Sequence, residues 1–154
     1  MITNVEYLGN KDLLRLKKVA FLASNTISSG TVLKVYDWAT DIRNRGECVV
    51  SGFCSKLEKD VLHFLLKGSQ PIILVLARRM YKTVPLILQE ALNENRLLIV
   101  SVSVSVRQSK ITALERNKYI CNMANKILFM GVTEESSLYE LQQNSSNKQK
   151  LLTL

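Results

Sequence analysis

Short apolar runs alternate with longer amphipathic segments along most of the chain. The apolar runs are typical of strands buried on both faces of a parallel sheet, and they span residues 18–23, 48–50, 71–77, 97–101 and 126–130. Between them, helical spacing predicts helices over residues 29–45, 56–67, 85–95 and from 115, with a last one opening at 136. This alternation predicts an α/β fold, doubly wound, with a mainly parallel sheet and helices on both faces.

The chain has 154 residues, which suits one domain with a substantial core. We assign that domain to residues 1–143, with residues 1–16 packed on an edge of the sheet. Residues 144–154 begin with a polar stretch, which predicts a flexible tail or a short edge strand. The alternation of Ser and Val over residues 101–106 predicts a half-exposed strand.

Charge and cysteine usage limit the class of partner and the compartment. Lys and Arg total 21 against 13 Asp and Glu, and the formal net charge of +8 favours a polyanionic partner. Cys48, Cys54 and Cys121 form no CxxC pair, so we predict reduced thiols and a cytoplasmic location. We expect no membrane partner, because no apolar run approaches spanning length and no targeting segment opens the chain.

Motifs for catalysis are missing from the sequence. It contains no Walker GxxxxGK[ST], no GxGxxG fingerprint and no GxSxG elbow. His63, the single histidine, lies in an amphipathic segment, where packing or surface exposure explains it better than general-base catalysis. We therefore expect no catalytic residue, no cofactor and no metal site.

Polar turns next to the apolar runs are the candidate binding elements. Ligands of doubly wound sheets bind beyond the carboxyl ends of the strands, so we expect three such turns to converge there. Their hydroxyl, glycine and basic residues suit a bound phosphate. Two alternatives to phosphate binding stay open: Ser28 caps the following helix, and Lys56 points into water. The candidate residues are Ser24, Asn25, Ser28, Gly30, Ser51, Gly52, Lys56, Arg116, Asn117 and Lys118, and the last three are placed at a helix start.

Four segments resemble motifs of the DprA/Smf family of DNA-processing proteins, in the family's order. Residues 6–14 are similar to L-Y-x-x-G-N-x-x-L-L, 19–25 to V-A-I-V-G-S-R, 51–58 to S-G-L-A-x-G-I-D and 116–123 to R-N-R-I-I-A-G-L. The resemblance covers residues 6–141 and implies a DprA-type, Rossmann-like fold. It also implies a single-stranded DNA pocket built from Ser24, Ser51, Gly52, Arg116 and Asn117.

Departures from the family pattern affect the charge of this pocket. Asn25 replaces a family arginine, Lys56 a glycine and Glu58 an aspartate. We expect non-catalytic binding of single-stranded DNA in a basic pocket, with base stacking on Tyr81 or Tyr119. A RecA-type recombinase and a second copy of the chain are further expected partners. Two alternatives stay open: a sensor or hydrolase for a nucleotide derivative, and a degenerate scaffold that acts by self-association.

Overall fold

The computed structural model describes residues 4–150, and its strands form one sheet. The strands are β1 (Glu6–Gly9), β2 (Lys18–Ala23), β3 (Cys48–Ser51), β4 (Ile72–Leu76), β5 (Leu97–Ser101), β6 (Lys126–Met130) and β7 (Gln149–Lys150). The helices are α1 (Ser29–Arg45), α2 (Lys56–Leu66), α3 (Leu86–Asn93), α4 (Lys110–Met123) and α5 (Tyr139–Asn144), with a 3₁₀ helix at Lys11–Arg15.

The strand order is β1-β5-β4-β3-β2-β6-β7. The five strands from β5 to β6 pair in parallel, β7 continues the parallel pairing, and β1 pairs with β5 in the antiparallel sense. The chain winds outward from β2 to β5 and then returns to place β6 on the other side of β2. A ligand site is therefore expected beyond the carboxyl ends of β2 and β6, where the winding reverses.

Helices cover both faces of the sheet. On one face, α1, α2 and α3 bury apolar side chains against alternate strand residues, as Trp38 does by stacking on Phe21 at 5.2 Å between ring centroids. On the other face, α4 and α5 contribute Ile120 and Leu141 to a second cluster with Leu22 and Val50. Because both faces are covered, the central strands β2 to β5 are buried along their whole length, and the predicted doubly wound, mainly parallel fold is confirmed.

The predicted strand over residues 101–106 is wrong. The strand β5 ends at Ser101, which pairs with Leu76, the last residue of β4, and with Glu6, the first residue of β1. Neither neighbour extends further, so the following residues have no strand to pair with. The Ser101 hydroxyl instead donates to the carbonyl oxygen of Arg78 at 2.6 Å, and the chain continues as a loop.

The predicted helix start near Arg116 is also wrong, because α4 begins earlier. Ser109 caps the helix: its hydroxyl accepts from the Thr112 N–H at 3.1 Å, and the Thr112 hydroxyl accepts from the Ser109 N–H at 2.8 Å. Arg116 and Asn117 thus lie in the middle of α4, where backbone N–H groups are already bonded within the helix. Only their side chains can serve a ligand.

The ends of the described chain add edge strands to the sheet. Residues 6–9 form the antiparallel strand β1 on β5, and Gln149 pairs with Ile127 as part of β7. Residues 151–154, the last part of the predicted tail or edge strand, lie outside the described range. Within residues 4–150, no helix is long and apolar enough to cross a membrane.

Candidate ligand-binding site

A cavity of about 730 Å³ opens at the carboxyl edge of the sheet, where β2 and β6 meet. Loops after three strands and the middle of α4 enclose it, and we call it the polar pocket. Its lining comprises residues 23–26 after β2, Cys54, Ser55 and Glu58 after β3, residues 131 and 133 and 135–138 after β6, and Gln108, Ala113, Arg116 and Asn117. The loops after β2 and β3 therefore converge here, as expected from the sequence.

Arg116 is the one basic residue of this lining and is only 4% exposed. Its Nε donates to Oδ1 of Asn117 at 2.8 Å, and its Nη1 donates to Sγ of Cys54 at 3.2 Å and to Oε1 of Gln108 at 3.4 Å. None of these partners is a carboxylate, and no carboxylate of residues 4–150 forms an ion pair with it. A buried guanidinium without a counter-charge is costly, and an anionic ligand would offset that cost.

Because Gly52 has no side chain, the guanidinium of Arg116 can occupy the space next to it. A Cβ built on Gly52 would lie 2.5 Å from Cζ of Arg116 and equally close to Nη1, so the guanidinium packs directly on the glycine backbone. Any side chain at position 52 would displace it. The glycine of the second turn thus supports the arginine of α4 rather than a ligand.

Glu58 ties the loop after β2 to the loop after β3. Its Oε2 accepts from the Ala23 N–H at 2.9 Å, while its Oε1 accepts from the N–H groups of Cys54 at 2.9 Å and Ser55 at 3.3 Å. The carboxylate is buried, and Ser55 completes a capping box with it at the start of α2. The negative charge at the base of the polar pocket is therefore used by the fold.

We expect Glu58→Gln to destabilise the protein. Both carboxylate oxygens accept backbone N–H bonds, and a glutamine would turn an NH₂ group toward one of these donors, so about 1–3 kcal/mol of stability is lost. Urea unfolding followed by circular dichroism measures the change. The control is Glu90→Gln on the exposed face of α3, and equal midpoints for the two variants would contradict the role of Glu58.

Asn25 and Ser24 link the loops further. Oδ1 of Asn25 accepts from the Lys56 N–H at 3.2 Å, and Oγ of Ser24 donates to the carbonyl oxygen of Gly131 at 2.6 Å. Gly131 has a φ of +68°, and a Cβ there would lie 2.6 Å from the Ser24 oxygen. The loops after β2, β3 and β6 are thereby joined side by side.

Several of these bonds occupy backbone amides of the second turn, which the sequence offered to a phosphate. Around the start of α2, the N–H groups of Cys54 and Ser55 bond to Glu58, that of Lys56 to Asn25, and that of Glu58 to Ser55. An anion beside the start of α2 finds these four amides already bonded, so its charged contact would come from a side chain, and Arg116 is the lining residue that carries positive charge.

The structure brings together four of the predicted site residues. Ser24, Asn25, Arg116 and Asn117 line the polar pocket. Among the described residues, the amide nitrogen of Asn117 and Nη2 of Arg116 make no hydrogen bond, so each keeps a donor for a ligand.

The other predicted residues lie outside that lining. Ser28 caps α1, Gly30 is the second residue of α1, and Ser51 is fully buried with its hydroxyl accepting from the Phe53 N–H. The Lys56 side chain is 84% exposed and pairs with Asp60 at 3.5 Å. Lys56 therefore points into solvent, as the alternative interpretation predicted. Lys118 is exposed on α4.

Several lining residues were not anticipated from the sequence. Glu58 was absent from the predicted site residues, although the Ser55-x-x-Glu58 spacing is that of a capping box and indicates a bonded carboxylate at the helix start. Cys54, Gln108 and Gly131 carry no sequence signal, because only the tertiary fold brings them to the pocket.

Tyr119 is not part of the site. It packs against the core on the α4 face, and burial, followed by a hydrogen bond with Tyr7, raises the pKa of Tyr119 to about 12. Of the two tyrosines considered for stacking, only Tyr81 lies near Arg116 in a shared cavity. Within residues 4–150, no group of three or more His, Cys, Asp or Glu side chains could hold a metal ion.

Similar architectures occur in several solved structures, although no curated protein matches the chain. DNA processing protein A from Streptococcus pneumoniae aligns with a TM-score of 0.75 at 19% identity, over 94% of this chain and 52% of that one. The chain thus spans about half the length of that relative. DNA processing protein A from Helicobacter pylori, which binds single-stranded DNA, aligns with a TM-score of 0.75 at 18% identity, over 94% and 69%.

A more distant likeness concerns the fold alone. The molybdenum cofactor carrier protein from Chlamydomonas reinhardtii aligns with a TM-score of 0.56 at 9% identity, over 87% of this chain and 74% of that one. The family model of DNA recombination-mediator protein A, in contrast, matches residues 4–153, nearly the whole sequence. The chain therefore belongs to the DNA recombination-mediator protein A family.

Proposed function

We propose that this protein binds single-stranded DNA at the polar pocket, without catalysis, and that Arg116 is its central phosphate contact. The observation that carries the proposal is the buried guanidinium of Arg116, which faces the cavity without a carboxylate partner among the described residues. Hydrogen bonds between a guanidinium and a phosphate are charge-assisted, burial strengthens them, and Nη2 of Arg116 is the donor that is not bonded within residues 4–150.

Family membership and overall charge support the same ligand. The chain belongs to a family of DNA-processing proteins, and the H. pylori relative binds single-stranded DNA. The formal net charge of +8 favours approach of a polyanion. The polar pocket itself holds one arginine beside Glu58 and Glu135, so most of the positive charge acts from outside its lining.

Within this proposal the predicted site residues have different parts. Asn117 orients Arg116 and offers its own amide, while Ser24 and Asn25 form the polar rim next to α2. Lys56 and Lys118 contribute long-range attraction from exposed positions. Ser28, Gly30, Ser51 and Gly52 act through the backbone that carries the others.

Fluorescence anisotropy with a labelled oligonucleotide tests the proposal. We expect single strands to bind more tightly than the corresponding duplex and the affinity to fall with salt. If Arg116 and about two nearby cations contact phosphates, the slope of log K against log salt is about −2. Equal affinity for duplex and single strand, or no dependence on salt, would contradict phosphate binding in a pocket that admits one strand.

A nucleotide derivative is the second candidate ligand, because a cavity of about 730 Å³ is of the size that encloses a small molecule. Competition by mononucleotides as effective as by oligonucleotides would favour it.

Self-association is favoured by the exposed apolar side chains of Val104, Val106 and Ile111, and light scattering measures it. A RecA-type recombinase, a second copy of the chain and a cytoplasmic location stay predictions.

A further inference from the structure

A second cavity, of about 440 Å³, lies on the other side of Arg116 from the polar pocket. It is formed beyond the ends of β3 and β4, between α2 and the start of α3. We call it the Arg78–Tyr81 groove. Its floor is apolar and includes Leu62, Leu74, Leu76 and Leu88. The polar pocket has no comparable floor, so the two cavities offer a ligand different chemistry.

Cations without carboxylate partners surround this apolar floor. Lys59, Arg78 and Arg116 line the groove, and no Asp or Glu of the described residues joins them there. None of the three forms an ion pair within residues 4–150. Three basic side chains beside an apolar surface suit a ligand with a negative charge at one end and a flat, uncharged body at the other.

Tyr81 supplies an aromatic surface in the groove. Cζ of Arg78 lies 5.3 Å from the centroid of the Tyr81 ring, and Nε of Arg78 donates to the carbonyl oxygen of Arg79 at 3.0 Å. The arginine is thus held in place against the ring. Burial raises the pKa of Tyr81, so the phenol stays neutral and adds no negative charge near an anion. Planar guanidinium and aromatic groups are both surfaces on which nucleobases stack.

The groove and the polar pocket adjoin each other. Cys54, Gln108 and Arg116 line both cavities, so the guanidinium of Arg116 lies between them. A strand that places a phosphate on Arg116 therefore has a polar cavity on one side and a cationic, apolar-floored cavity on the other. This arrangement matches the alternation of backbone and base in a single strand.

We propose that the Arg78–Tyr81 groove holds the base of the nucleotide adjacent to the phosphate bound by Arg116, with Lys59 and Arg78 flanking the backbone. This rests on the proposed binding of single-stranded DNA and specifies what the protein recognises: the unpaired base as well as the phosphate. A base within a duplex is stacked and paired, so it cannot enter the groove. The groove thereby accounts for a preference for single strands.

An oligonucleotide without bases separates this proposal from phosphate binding alone. We expect the wild-type protein to bind an intact oligothymidylate about tenfold more tightly than an abasic strand of equal length. In Tyr81→Leu that preference should shrink toward equality. In Arg78→Gln both strands should bind more weakly. The controls are Tyr7→Leu and Arg15→Gln, which remove an exposed tyrosine and an exposed arginine that line neither cavity.

The outcomes distinguish the two proposals. Equal affinity of the wild type for intact and abasic strands, with salt-dependent binding retained, overturns the groove proposal and leaves the phosphate site in place. An unchanged preference in Tyr81→Leu, with an unchanged melting temperature, also overturns it. Failure of the wild type to bind any strand overturns the DNA-binding function, and the groove proposal with it.

Alkylation of Cys54 gives a second readout that does not depend on a fluorescent label. Cys54 is partly exposed and lines both cavities, whereas Cys48 and Cys121 are buried, so N-ethylmaleimide should modify Cys54 first. A bound oligothymidylate should slow that modification in the wild type, and thymidine monophosphate should not. Equal protection by the mononucleotide would overturn a site for a strand in favour of a site for a free nucleotide.

Discussion

Replacing Arg116 with alanine is expected to lower the affinity for single-stranded DNA by at least about tenfold. The substitution removes the one cation of the polar pocket, and hydrogen bonds to charged groups contribute about 1.5–3 kcal/mol. Every 1.4 kcal/mol corresponds to about tenfold in affinity. Arg116→Lys should recover only part of the loss, because an ammonium group cannot bond Asn117, Cys54 and Gln108 and still present a donor to the phosphate in the same geometry. Anisotropy titrations at fixed salt measure both variants.

Stability should not fall with the affinity. Arg116 is a buried cation with neutral partners, so its removal relieves a desolvation cost while it frees groups that water can reach in the pocket. The melting temperature of Arg116→Ala should therefore equal or exceed that of the wild type. Lys118→Ala removes the same charge from the exposed face of the same helix. If it weakens binding as much as Arg116→Ala, the interaction is diffuse and the assigned contact is wrong.

Gly52→Ala is expected to reproduce most of the binding defect of Arg116→Ala without touching a ligand. The new methyl group would lie 2.5 Å from the guanidinium, which sits at the end of a flexible side chain and can move away. The backbone need not shift, so the free energy of unfolding should change by no more than about 1 kcal/mol. The affinity for single-stranded DNA should fall by about tenfold, because the displaced guanidinium no longer presents Nη2 to the phosphate.

The double variant tests that explanation. Once Arg116 is alanine, the methyl group at position 52 has no guanidinium to displace, so Gly52→Ala should then have no further effect on affinity. Such non-additivity is expected of residues in direct contact. Additive losses would mean that Gly52 acts on the ligand itself, as the sequence alone had suggested.

The fold was predictable because burial on both faces leaves its mark on the sequence. The strands from β2 to β6 appear as apolar runs, and their parallel pairing followed from the alternation with helices. The start of α4 was missed because Ser109 and Thr112 form a capping box without an acidic residue. The helix start was placed instead at the more distinctive Arg116-Asn117 pair. The error changed which groups can bind an anion, from backbone amides to side chains.

The candidate site was predictable in part, and for a different reason. Ser24, Asn25, Arg116 and Asn117 do line one cavity, since loops at the same edge of a parallel sheet meet there. The role of Gly52 as a support for Arg116 could not be derived from the sequence. It depends on the guanidinium of a residue 64 positions later in the chain, which packs on the Gly52 backbone. The net charge also did not indicate where the basic side chains gather. The polar pocket holds one arginine, whereas the Arg78–Tyr81 groove holds Lys59, Arg78 and Arg116.

The bonds that join the loops after β2, β3 and β6 have a consequence for how binding proceeds. Glu58, Asn25 and Ser24 fix these loops to one another before any ligand arrives, so the protein gives up little conformational entropy on association. The flexible partner, the single strand, must supply nearly all of the ordering. Hydrogen exchange of the loop amides should then change little on binding, and the affinity should respond more to the stiffness of the strand than to that of the protein.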